Sequence, residues 1–275
     1  YAFIFGAIKS NISENAIREI PCSLVENLGS LLEFYASRND ITTLPSELNG
    51  LIKLKNLRLD MNRIREISDS FGSSLSSIRE LEIRGNEITK LPRGISGLTG
   101  LTTLCLSPNK LKHLPATVGC LEQLTRLDVS HNELTSIDSK ALPPKLRYLD
   151  LSHNSLESLP EEIGRLENLI ELRLDHNKLN KLPRNTGNLS SLRELFLQHN
   201  KLQELPSSMS MLSNMTGCNL AHNKFAGTPS QFTDSNTWIY CDMTGNASGQ
   251  TQQNEKMQEE AMRTLFFFFL YVYII

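Results

Sequence analysis

Apolar residues recur along this chain in one fixed figure. From Leu146 to Asn168 it reads L-R-Y-L-D-L-S-H-N-S-L-E-S-L-P-E-E-I-G-R-L-E-N. Leu149 and Leu151 stand two apart, the spacing a β-strand needs to send both side chains to one face. Tyr148 and Asp150 then turn to the opposite face. Farther on comes Leu-Pro, repeated at Leu44-Pro45, Leu91-Pro92, Leu114-Pro115, Leu159-Pro160, Leu182-Pro183 and Leu205-Pro206. Proline lacks an N–H and fixes φ, so this segment belongs outside the sheet, entering a short helical turn. Ile67-Ser68 and Ile137-Asp138 lack the proline. The pattern predicts short strands alternating with short helical or irregular return segments.

The figure repeats in register. Its asparagine recurs at Asn15, Asn39, Asn62, Asn86, Asn109, Asn132, Asn154, Asn177, Asn200, Asn223 and Asn246, at steps of 22 to 24 residues. L-x-x-L-x-L-x-x-N-x-L at this period is the leucine-rich-repeat signature. One unit cannot bury its own apolar face, so neighbours must stack around a continuous core. The expected fold is α/β: a right-handed solenoid, or horseshoe, with a concave parallel sheet and short helical or irregular convex segments. Each asparagine amide is expected to bond backbone groups of adjacent turns.

The fuller motif, L-P-x-x-I/V-G-x-L-x-x-L-x-x-L-x-L-x-x-N-x-L, resembles the intracellular Ras-group leucine-rich-repeat proteins, which include Ras-suppressor and Ras–Raf scaffold types. The resemblance spans about Ala7 to Asn246. It implies a non-catalytic scaffold or adaptor in cytoplasmic signalling, binding through its concave face, with a small GTPase or a phosphatase as partner. Two other readings stay open: the recognition part of a larger receptor or kinase-type enzyme, and a secreted or surface recognition protein.

Composition narrows this. Lys and Arg total 28 against 30 Asp and Glu, so no global field favours nucleic acid. The five cysteines form no terminal cluster, which suits a reducing compartment. Cys218 and Cys241 fall on the core leucine position of successive repeats, as small buried groups or, as the sharper alternative, a disulfide. Sequons at Asn11, Asn188, Asn214 and Asn246 support secretion only weakly.

Residues 1–246 are expected to form the solenoid, about ten repeats plus a degenerate last copy in which Trp238, Cys241 and Met243 replace leucines. Tyr1 to Ala7 reads as the remains of an earlier repeat. Residues 247–264 form a polar linker. Residues 265–275, an apolar tail of eleven residues, are shorter than the about 20 of a membrane span and leave membrane association open.

Function should sit on the outward strand positions. The central column runs Tyr35, Arg58, Glu82, Cys105, Asp128, Asp150, Arg173, Phe196, Asn219 and Asp242. From it and its flanks, Arg58, Glu82, Arg84, Arg126, Asp128, Arg147, Tyr148, Asp150, Arg173, Asp175, Phe196 and Gln198 are the candidate protein-binding residues. Arg and aromatic side chains are the types enriched at interface hot spots. The blander alternative is a solvated strand face.

His131, His153, His176, His199 and His222 each precede the repeat asparagine, at an expected rise of about 4.8 Å. Imidazoles in a row suit zinc or copper, or charge together in acid. Against a metal stands the lack of a visible carboxylate or thiolate to complete the shell, and no metal or cofactor is expected. No phosphate loop, H-E-x-x-H or G-x-S-x-G appears, so no catalysis is expected. Cys105 reads as outward, without a basic neighbour to activate it.

Overall fold

The computed structural model describes residues 8–233 and 240–246. Trp238, the linker and the apolar tail lie outside these residues. The strands are β1 (Lys9–Asn11), β2 (Glu33–Tyr35), β3 (Asn56–Arg58), β4 (Glu80–Glu82), β5 (Thr103–Cys105), β6 (Arg126–Asp128), β7 (Tyr148–Asp150), β8 (Glu171–Arg173), β9 (Glu194–Phe196), β10 (Gly217–Asn219) and β11 (Tyr240–Asp242). They form one 11-stranded sheet in strict chain order. Every pair is parallel, and like positions stand opposite one another, as Leu149, Leu172, Leu195 and Cys218 do. β1 extends the ladder one strand beyond the predicted column. It pairs Ser10 with Phe34, although its own residues carry no leucine.

The repeating leucines fill one continuous core, with residues such as Leu149, Leu151, Leu156, Ile163 and Leu166 nearly inaccessible. The asparagines close the polar side of that core. Asn177 donates its amide to the carbonyls of Leu151 at 2.9 Å, Leu174 at 3.1 Å and Asp175 at 3.2 Å. Its oxygen accepts from the Leu156 N–H at 2.9 Å. The two cross-turn bonds recur from Asn39 to Asn223, binding each turn to the one before it. Asn15 is the exception: exposed, it bonds among the described residues only Ile12 and Ser13 of its own turn.

Each Leu-Pro opens a five-residue 3-10 turn, as at Ala116–Cys120, Glu161–Arg165 and Arg184–Asn188, with proline at the N-cap. The two copies without proline solve the entry differently. Asp138 takes the N-cap and accepts from the Lys140 N–H at 2.8 Å, giving a shortened turn over Ser139–Ala141. After Ile67 no helical turn forms. The Asn49 side chain holds that loop, donating to the Ser70 carbonyl at 2.9 Å and accepting from the Gly72 N–H at 3.0 Å. Adjacent convex turns pack closely, and a Cβ on Gly119 or Gly187 would collide with the carbonyl oxygen of Lys140 or Ser208 in the next turn. Among the described residues no helix is long and apolar enough to cross a membrane.

Candidate functional site

Each three-residue strand turns its middle residue into the core and its two flanking residues toward the concave side, as Glu194-Leu195-Phe196 does. The parallel register then aligns side chains from successive repeats. Arg126 lies opposite Tyr148, Asp128 opposite Asp150, Asp150 opposite Arg173, and Arg173 opposite Phe196. Two cation–π pairs result. The Arg126 guanidinium is 5.6 Å from the Tyr148 ring centre and that of Arg173 is 4.7 Å from the Phe196 ring. Both lie within the roughly 6 Å over which a ring face attracts a cation. Arg173 is anchored from its other side by Glu171.

The acidic members between them are held in place. The Asp150 carboxylate accepts from the Ser152 N–H at 2.9 Å and hydroxyl at 2.6 Å; Asp128 accepts from Ser130 in the same way. Burial pushes the Asp150 carboxyl above its ordinary range, with the Ser152 hydrogen bonds opposing.

The N-terminal zone is also ordered by charge. Arg58 lies 3.7 Å from Glu80 and 3.6 Å from Glu82, with its guanidinium 5.4 Å from the Tyr35 ring centre. Arg84 corrects the reading of Cys105. Its Nη2 donates to the Cys105 sulfur at 3.0 Å and covers it, leaving the thiol buried. A basic neighbour is therefore present, yet burial dominates and pushes the thiol up rather than down. The Asp60 carboxylate accepts from the Arg84 N–H at 2.7 Å, and burial raises it too, with nearby Glu82 adding to the rise.

Three candidates sit elsewhere than the strand pattern suggested. Arg147 precedes β7 and is already off the concave face. It lines a flanking cleft of about 640 Å³ with Lys145, Asn168, Ile170 and Arg193. The sequence did not single out Lys145 and Arg193 there; Arg193 follows the first leucine of its repeat as Arg147 does, and that shared position was the available signal. Asp175 is buried, with its carboxylate turned toward the histidines. Gln198 is half-buried, and its side-chain oxygen has no hydrogen-bond partner among the described residues.

The histidine column occupies a backbone slot the sequence did not reveal. His131, His153, His176, His199 and His222 all have φ between 47° and 56°, Arg38 and Met61 lie at 55° and Glu14 at 60°, and Gly85 and Gly245 fill the same slot. Neighbouring rings stack at 4.0 to 4.3 Å between centres, closer than the strand spacing. Burial first, and then the adjoining imidazoles, hold His153 and His199 below the ordinary histidine range. Cys218 and Cys241 lie opposite each other in register as free thiols.

Comparison with known proteins agrees with the fold. A Leucine rich repeat family profile matches residues 52–111 and 122–179, and a second Leucine Rich Repeat profile matches 191–212, together just over half of the chain. No curated protein sequence matches. Among solved structures, a leucine-rich-repeat protein of Leptospira interrogans is 25% identical with a TM-score of 0.71, covering 90% of this chain and 74% of its own. A TDR receptor is 27% identical with a TM-score of 0.70, over 89% of this chain and 48% of the receptor. The plant peptide hormone receptor RGFR1, solved in complex with RGF2, is 26% identical with a TM-score of 0.63, over 86% and 47%. The chain thus spans three quarters of the bacterial protein and under half of either receptor. It belongs to the leucine-rich-repeat family, and its stacked sheet is a protein-interaction domain.

Proposed function

We propose that the chain is a non-catalytic binding scaffold that captures a protein segment on the concave strip of β6 to β9. The observation that supports this most is the pair of cation–π contacts, Arg126 on Tyr148 and Arg173 on Phe196. They hold rotamer-rich hot-spot side chains in place before a partner arrives, which lowers the entropy cost of binding. Asp128 and Asp150, fixed by their serines, supply charge for basic groups of the partner. The resemblance to the Ras group favours a small GTPase or a phosphatase as that partner, in cytoplasmic signalling. A second reading, as the recognition part of a larger receptor, draws on the peptide-hormone receptor among the structural neighbours and would make the partner a peptide.

The test is affinity capture with the full chain, an Arg173→Glu/Phe196→Ala variant and a convex control, Arg165→Glu. The intact chain and the control should capture one common partner. The double variant should bind it at least about tenfold more weakly, since hot-spot truncations cost about 2 kcal/mol or more. A GTPase or phosphatase would favour the scaffold reading and a peptide the receptor reading. Equal capture by all three chains would sink the concave site.

A further inference from the structure

Asp175 breaks a pattern. At the matching position of the three preceding repeats stand Ser107, Ser130 and Ser152, and of the next two Gln198 and Ala221; the column's other aspartate, Asp60, precedes Met61 rather than a histidine. Here alone does a carboxylate precede one of the stacked histidines, and it is buried, with a side-chain exposure of 11%. Among the described residues its ion-pairing contacts are both imidazoles, His176 Nδ1 at 3.0 Å and His153 Nε2 at 3.8 Å from Oδ2. Neither is a permanent cation, and the nearby Arg173 is engaged by Glu171. A buried carboxylate whose direct partners are two imidazoles, with the Arg173 charge only nearby, gains when a cation joins it.

The three ligand atoms all lie within 4.8 Å of one another. Zinc binds histidine nitrogen and carboxylate oxygen at about 2.0–2.2 Å, so a tetrahedral site has ligand-to-ligand edges of about 3.3 Å. The observed 3.0 and 3.8 Å bracket that value. Both rings keep about two fifths of their side-chain surface in solvent, at 38% and 40%, and aiming their lone pairs at one point requires them to turn out of their stacks. That exposure also leaves room for water to complete the shell. Bare stacked imidazoles have parallel lone pairs and converge poorly; the carboxylate gives them a common focus. Carboxylate with two imidazoles selects a zinc-type cation over calcium or magnesium, which favour all-oxygen shells.

The geometry points to a divalent-cation site of the zinc type formed by His153, Asp175 and His176 at the edge of the sheet. It lies beside the concave strip, next to Arg173, and does not rest on that strip's proposed binding role. Its probe is Zn²⁺ alone, titrated calorimetrically into the full chain, with Asp175→Ser, His153→Gln and His222→Gln variants alongside. Asp175→Ser installs the residue of the neighbouring repeats, and a thermal melt of each zinc-free variant checks folding. The intact chain should bind one Zn²⁺, and X-ray absorption should show mixed nitrogen and oxygen ligation. Asp175→Ser and His153→Gln should each weaken binding at least tenfold, while His222→Gln, at the far end of the column, should change it less than threefold. Absence of binding at micromolar zinc would overturn the site. So would equal weakening by His222→Gln, which would mean adsorption to the histidine row.

Discussion

Asn177→Ala is expected to destabilise the chain by about 3 kcal/mol, more than any single change on the concave face. The residue is 8% exposed and its side chain makes four hydrogen bonds, two within its own turn and two to the preceding one. Alanine leaves the buried Leu156 N–H without its partner and takes one of two amide donors from the Leu151 carbonyl, which keeps Asn154 at 3.1 Å. Each buried group so orphaned costs about 1–3 kcal/mol. For a chain of this size about 3 kcal/mol lowers the melting temperature by roughly 6–12 °C. Thermal unfolding followed by circular dichroism measures it. Asn15→Ala is the matched control: the same residue type, exposed and bonded among the described residues only within its own turn, should move the midpoint by less than about 2 °C. Equal shifts at both positions would mean that the ladder contributes nothing beyond local turn formation.

Gly119→Ala should cost about 1–3 kcal/mol, the usual penalty for forcing an extra methyl into a filled space. The added Cβ runs into the Lys140 carbonyl oxygen, which is backbone and cannot rotate aside, so two convex turns must separate. Gly50 lies in an equivalent 3-10 turn but has nothing within 4 Å of the same methyl. Gly50→Ala should therefore be neutral or stabilising by up to about 1 kcal/mol, because alanine restricts the unfolded chain. Urea midpoints of the two variants should move in opposite senses relative to the parent. A loss at Gly50 as large as at Gly119 would show that turn flexibility, not close stacking, accounts for these glycines.

The features that repeat were legible from residues alone. A period-2 pair such as Leu149 and Leu151, copied every 22 to 24 residues, admits one face-inward strand per turn, and the structure has it. The asparagine ladder followed for the same reason, since a buried amide repeated in register must find repeated backbone partners. Features carried by backbone conformation rather than by residue type were hidden. His153, Arg38, Met61 and Gly85 have little chemistry in common, yet share one left-handed slot before the asparagine. Short strands also defeated the alternation argument at their ends. Arg147 stands directly before Tyr148, but a three-residue strand has already left the sheet there, so its side chain joins the flanking cleft.

Contacts between repeats were the other blind spot. Cys105 looked open because its chain neighbours are not basic; the arginine that covers it is 21 residues away, on the preceding turn. Asp175 looked like one more concave acid because its period matched the column. Its burial and its approach to His153 from the following repeat follow from stacking, which a single repeat does not display. In a solenoid a side chain's surroundings come mostly from the repeats above and below it.

The concave strip as the binding surface is the central claim, and site-specific photo-crosslinking tests it most directly. One copy of the full chain would carry a photoreactive residue in place of Tyr148, and another in place of Arg165 on the convex turn. Each would be irradiated with the captured partner. The account predicts covalent adducts from position 148 alone, suppressed by excess intact chain. Adducts from position 165 with none from position 148 would contradict it and place the binding surface on the opposite side of the solenoid.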